Sequence, residues 1–246
     1  MQVSDPRPAV VGKRLAGIRH IVAFSSAKGG VGKTMCTVAS ALVLARGGRR
    51  IGILDIDTQG ASAHLFLGIQ PRLPEEKEGI LPLRVVDGVS LMSVAPFTGE
   101  RGLPLRGPEV TDAILELLAV TVWEGTEMLL IDTPPGMGEE ILDLARLVPR
   151  LQALVVSTPA AVSVKVVERL LSVLKELGVS VPGLIANMVD GDAGPVRDLA
   201  LRTGVGMVAE VPLDPSVEKA IGNPRELAAG RAGQALDQAM RRLGYL

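Results

Sequence analysis

The residues most able to do chemistry lie in one short run, Ser25-Ser26-Ala27-Lys28-Gly29-Gly30-Val31-Gly32-Lys33-Thr34. Glycines at 29, 30 and 32 let successive backbone N–H groups turn inward around an anion. An apolar run precedes the loop and a helical pattern follows it, so a helix N-terminus adds a favourable dipole. The lysine and hydroxyl at the loop's end have a specific use. Lys33 reaches the β- and γ-phosphates of a nucleoside triphosphate, and Thr34 holds magnesium through its hydroxyl. Gly29, Gly30, Val31, Gly32, Lys33, Thr34 and Met35 form the expected phosphate cradle. Ala27 stands where the general pattern has glycine, but the strand–loop–helix setting is intact.

Two further runs bring carboxylates. Asp55-Ile56-Asp57-Thr58-Gln59-Gly60 follows the apolar Ile51-Gly52-Ile53-Leu54. A pair of carboxylates there serves a cation or a water; the alternative is that both cap a helix starting near Ala61. Leu130-Ile131-Asp132-Thr133-Pro134-Pro135-Gly136 delivers Asp132 from another apolar run, where it would hold magnesium through water. Gly136 offers its N–H to the γ-phosphate, which would make this stiff, proline-bearing loop a sensor of hydrolysis.

These motifs need a scaffold. Apolar runs at 21–24, 51–54, 89–94, 128–131, 154–156, 184–186 and 207–209 read as strands. Helical patterns cover 34–46, 109–122 and 162–177. Continuous apolar strands alternating with helices predict an α/β fold: a doubly wound, mainly parallel sheet with helices on both faces. Ligands of such sheets sit beyond the strand carboxyl ends, where all the motifs fall. Residues 68–88 and 95–107 read as loops. A length of 246 residues suits a single domain over 20–246, with 1–19 as an N-terminal extension.

The Lys-Gly-Gly-Val-Gly-Lys-Thr form resembles the deviant Walker A motif of the MinD/ParA/nitrogenase-iron-protein class, which has the phosphate-loop NTPase fold. That resemblance implies a homodimer with ATP sandwiched at the nucleotide face, Lys28 reaching the partner's phosphates. It makes Asp57 the switch aspartate that positions the attacking water, and puts Asp57 with Thr34 and Asp132 around magnesium. Asp132-Thr133-Pro134-Pro135-Gly136-Met137-Gly138, Arg106-Gly107-Pro108, Ser157-Thr158-Pro159, Ala186-Asn187-Met188 and Val211-Pro212-Leu213-Asp214-Pro215 resemble the Mrp/ApbC/Nbp group in particular, over about residues 17–228. By that resemblance Asn187 bonds the adenine edge, Pro212, Leu213 and Asp214 wall the base, and ATP and magnesium are the ligands. Members that carry iron–sulfur clusters have a Cys-x-x-Cys pair soon after Asn-Met. Here that place reads Val189-Asp190-Gly191-Asp192-Ala193-Gly194, and Cys36 is the single cysteine. No iron–sulfur cluster is expected, because carboxylates do not replace thiolates.

A net charge of −1 and an aromatic share of 2% give no signal for nucleic acid or an anionic membrane. No apolar stretch is long enough to span a bilayer, and a cytoplasmic protein is expected. The client protein is not legible. An alternative is a positioning ATPase like MinD or ParA, acting on membrane or DNA. Its candidate anchor is the segment 234–246, with Leu236, Met240 and Leu243 on one side. Asp237 and the small apolar face favour a helix packed on the sheet instead.

Overall fold

The computed structural model describes residues 5–58, 60–98, 107–136 and 139–246. In chain order it contains α1 (Arg7–Leu15), β1 (His20–Ser25), α2 (Lys33–Arg46), β2 (Ile51–Asp55), α3 (Ala63–Phe66), β3 (Leu83–Val86) and β4 (Val89–Ser93). There follow α4 (Ala95–Thr98), α5 (Pro108–Val120), β5 (Met128–Asp132), α6 (Glu139–Leu147), β6 (Leu151–Ser157), α7 (Ala161–Glu176) and β7 (Ser180–Val189). The chain ends with α8 (Gly194–Thr203), β8 (Met207–Pro212), α9 (Ser216–Lys219), α10 (Pro224–Ala229) and α11 (Arg231–Arg242).

The strands form one sheet in the order β3-β4-β2-β5-β1-β6-β7-β8. Every neighbouring pair is parallel except β3–β4. β2 and β5 are buried along their whole length. This is what unbroken apolar strands dictate, because helices cover both faces. On one face Leu15 of α1, Ile114 and Leu118 of α5, Leu144 of α6 and Leu170 of α7 share a core. On the other, α2 packs with α10 and α11 through residues such as Leu44, Leu227, Leu236 and Met240. α2 is buried on nearly every side, as its all-round apolar sequence requires. β1 lies between β5 and β6, so the loop leaving it sits mid-edge, flanked by the ends of β5 and β6.

One expectation is corrected. The stretch 68–88 contains β3, the only antiparallel strand among the described residues, turned onto β4 at Asp87-Gly88. The extension before residue 20 contains α1. Pro8 sits in its first turn, where a missing N–H costs nothing, and Val11 and Leu15 are fully buried. Arg7 bonds Asp5 at 2.7 Å and Asp112 of α5 at 2.8 Å. The C-terminal helix is packed, the reading its sequence favoured, with Leu236 and Met240 buried in the α2–α11 core.

Both sheet edges are modified. β3 is short and its pairing with β4 is irregular between Arg84 and Val86. At the other edge the Arg242 guanidinium donates to the Val208 carbonyl of β8 at 3.2 Å.

Candidate nucleotide site

The loop from β1 to α2 wraps one side of a cavity of about 230 Å3, lined among others by Lys28, Gly30, Lys33, Thr34, Asp57 and Pro135. Gly30 and Gly32 take φ of 75° and 78°, the left-handed region that favours glycine. Met35 and Val31 also reach the cavity, although both side chains are largely buried.

Asp132 is the hub beneath the loop. Its side chain is fully buried at the end of β5. Lys33 Nζ lies 2.7 Å from one carboxylate oxygen and Thr34 Oγ1 donates to the other at 2.6 Å. The side chains expected to take phosphate and magnesium thus converge on the aspartate expected to support the metal. A third partner was not singled out by the sequence: Thr37 Oγ1 lies 3.2 Å from the same oxygen as Lys33. Its signal was its place one helical turn after Lys33, on the same face of α2.

Asp55 sits opposite Asp132 in the sheet register. It is also fully buried. Its two oxygens accept the N–H of Asp57 at 3.2 Å and of Ala63 at 3.1 Å. The capping alternative therefore holds for Asp55, since Ala63 begins α3. Burial first, and then the Asp132 charge, push its carboxyl up to about 7. Asp57 is half-buried and lines the cavity, and one of its oxygens accepts the Gly60 N–H at 3.0 Å.

Two buried carboxylates beside one lysine leave an excess of negative charge and hard oxygen donors, which suits magnesium. Among the described residues no three His, Cys, Asp or Glu side chains gather into a protein-only metal site. Magnesium held here would complete its shell with phosphate oxygens and water, its usual habit.

Lys28 is exposed at the cavity and has no ion-pair partner among the described residues. Gly136 differs from expectation: its N–H donates to the Ser26 carbonyl at 2.8 Å, so it is not turned to a phosphate. Thr133 Oγ1 bonds the Phe24 carbonyl at 2.9 Å, tying the same loop to β1. Asn187 is almost fully buried and its amide donates to the Val31 carbonyl at 2.7 Å. That contact faces the phosphate loop, which the expected adenine contact did not anticipate. Pro212 pairs with Val189, and Leu213 N–H bonds the Val189 carbonyl at 2.9 Å. Ser216 N–H bonds the Asp214 carboxylate at 2.9 Å and helps hold it below the usual carboxylate range. These three residues stand beside the end of β7 and do not line the phosphate cavity. Gln59, Arg106, Met137 and Gly138 lie outside the described residues.

Comparison with known proteins then decides the family. The ParA family model described as NUBPL iron-transfer P-loop NTPase matches residues 17–244. The chain belongs to that family. An iron-sulfur cluster carrier protein of Methanocaldococcus jannaschii is 32% identical, with 96% of this chain and 87% of that protein covered. The cytosolic Fe-S cluster assembly factor NUBP2 of Bos taurus is 35% identical, with 86% of each covered. A nucleotide-binding protein of Archaeoglobus fulgidus, solved in complex with ADP, superposes with a TM-score of 0.77 at 27% identity, covering 91% of this chain and 93% of that one. The cell division ATPase MinD of Pyrococcus furiosus shares the fold, with a TM-score of 0.69 at 19% identity over 92% of this chain and 99% of that one.

Cys36 is the sole cysteine. It is fully buried in α2, and burial pushes its thiol up to about 12. Iron–sulfur clusters take thiolates, so this residue does not fit as a ligand. Where the resemblance implies a Cys-x-x-Cys pair, Asp192 bonds Arg197 at 3.2 Å, and Arg197 also bonds Glu210 at 2.8 Å.

Proposed function

We propose that this chain is a nucleotide switch that binds and hydrolyses Mg-ATP as a face-to-face homodimer and passes its state to a client protein. The observation carrying the proposal is the convergence of Lys33 and Thr34 on buried Asp132. Nothing in a plain strand-to-helix turn calls for a lysine, a threonine and an aspartate at one buried point. The ADP complex of the Archaeoglobus fulgidus relative supports an adenine nucleotide.

In this reading the loop N–H groups bind the phosphates and Lys33 leaves Asp132 for the β- and γ-phosphates. Thr34 and Asp132 then support magnesium, and Asp57 orients the attacking water. Lys28 crosses to the partner's nucleotide and meets charge developing on the transferred phosphoryl group. Support for a face-to-face dimer comes from the surface around it. Val162 in the first turn of α7, Met188 near the end of β7 and Leu213 just after β8 are exposed and stand at or after strand carboxyl ends, as Lys28 does. Large apolar residues near one functional edge suit a surface that is covered part of the time.

Cluster chemistry, where this protein takes part in it, is proposed to run through thiols of a partner, because Cys36 is unsuited to it. The test is light scattering with Mg-ATP, with Mg-ADP and without nucleotide, run beside phosphate release. An ATP-specific rise to twice the monomer mass, with slow turnover, is expected. A chain that stays monomeric with ATP and releases no phosphate sinks the proposal.

A further inference from the structure

Phosphate loops bind anions with N–H groups, so any loop carbonyl aimed at the ligand would oppose binding. The structure shows where several of these carbonyls go. Lys28 O accepts the Ser26 hydroxyl at 3.1 Å, Gly32 O accepts the Cys36 N–H at 3.0 Å, and Lys33 O accepts the Thr37 hydroxyl at 3.0 Å. These donors are local. Val31 O is different: its donor is Asn187, on β7, two strands away from β1.

The strand is shaped for this reach. Its pairing with β8 slips between Ala186 and Val189, and Met188 takes φ 56°, uncommon for a side-chain-bearing residue. Irregularities of this kind re-aim side chains at the ends of strands. Asn187 is 1% exposed. Losing its partner would leave a buried amide or carbonyl unsatisfied. The fit is close: a Cβ at Gly32 would collide with the Asn187 amide and come 3.2 Å from Met188 Cε.

We infer that Asn187 is a positioning residue for the phosphate loop: it holds the Val31 carbonyl away from the ligand and so keeps the neighbouring N–H groups turned to phosphate. This rests on the nucleotide reading above and deepens it. The consequence is distinctive. A brace on the loop serves every polyphosphate alike, whereas a reader of the adenine edge serves ATP alone.

The experiment uses the full chain and two variants. Asn187→Ala removes the amide and always fits, while Asn187→Asp keeps the shape but cannot donate. Each is titrated with the magnesium complexes of ATP, GTP and tripolyphosphate, and amide hydrogen exchange over residues 26–35 is followed without nucleotide. The expected result is a loss of about tenfold for all three ligands, with the parent's ATP-to-GTP ratio retained and faster exchange in the loop. ATP affinity lost alone, with tripolyphosphate binding and loop exchange as in the parent, overturns the inference and returns Asn187 to the base. A parent chain that binds none of the three ligands removes the nucleotide reading. The exchange rates then decide the brace without it: faster in the variants supports it, unchanged overturns it.

Discussion

Asp55 and Asp132 stand directly opposite each other on the neighbouring strands β2 and β5, both fully buried, and Lys33 pairs with only one of them. The sheet register alone places these two like charges side by side. Burial first, and then the charge of Asp132, raise the Asp55 carboxyl to about 7.

A pH dependence follows. Folded Asp55 holds its proton more tightly than the unfolded chain does. Its contribution is therefore complete below about pH 4 and is lost as the pH rises through about 7. Chemical denaturation without nucleotide or magnesium should show stability falling over that interval. Asp55→Asn should be less stable throughout, since its amide nitrogen cannot accept an N–H, but should lack the fall. A parent curve that rises from pH 4 to 7, with a variant of the same slope, would contradict the assignment.

The two loop lysines should fail differently. Lys33→Ala should weaken ATP binding itself. Lys28→Ala should leave binding in the monomer nearly intact, yet abolish ATP-dependent dimerisation and lower phosphate release by ~10³-fold, the scale of trans-acting cations. Asp57→Ala should still dimerise with ATP but not hydrolyse it. Light scattering and phosphate release of the three variants check this; a Lys28→Ala protein that behaves like the parent removes the sandwich dimer.

Cys36 should be inert. With its thiol buried and pushed up to about 12, labelling by a thiol reagent should be very slow in the native protein and prompt in denaturant. Anaerobic reconstitution with iron and sulfide should leave no cluster after desalting. About four irons per dimer, retained on the column and lost on Cys36→Ser, would show the opposite.

The first helix should matter to stability. Leu15 is fully buried against the α5 side of the core, so Leu15→Ala should cost about 2–5 kcal/mol in denaturant unfolding. A change within ~0.5 kcal/mol, usual for exposed positions, would mean that α1 detaches in solution.

The seven parallel strands and the phosphate loop were legible because most of these strands are short apolar runs and each motif sits at a strand end. β3 was not. It is a four-residue edge strand with alternating exposure, in a stretch rich in proline and charge. α1 was not read from the sequence: it is nine residues long, with Pro6 before it and Pro8 in its first turn, where proline is tolerated. In the site, Lys33 and Thr34 meet Asp132, and Asp57 lines the same cavity as Lys33 and Thr34. The Asn187–Val31 and Gly136–Ser26 bonds could not be read, because each depends on which way a single backbone carbonyl turns.

The Arg242 bond to the Val208 carbonyl bears on more than β8. A bare edge strand is a template on which a second chain can extend the sheet, with no ligand to govern it. Here a guanidinium occupies part of that template, and the opposite edge is short and irregular. A switch needs its assembled fraction to follow nucleotide, and lateral sheet growth would be a leak in that control, insensitive to ATP. For the proposed nucleotide switch, blunted edges would help close that leak and leave the joining of copies to the nucleotide face.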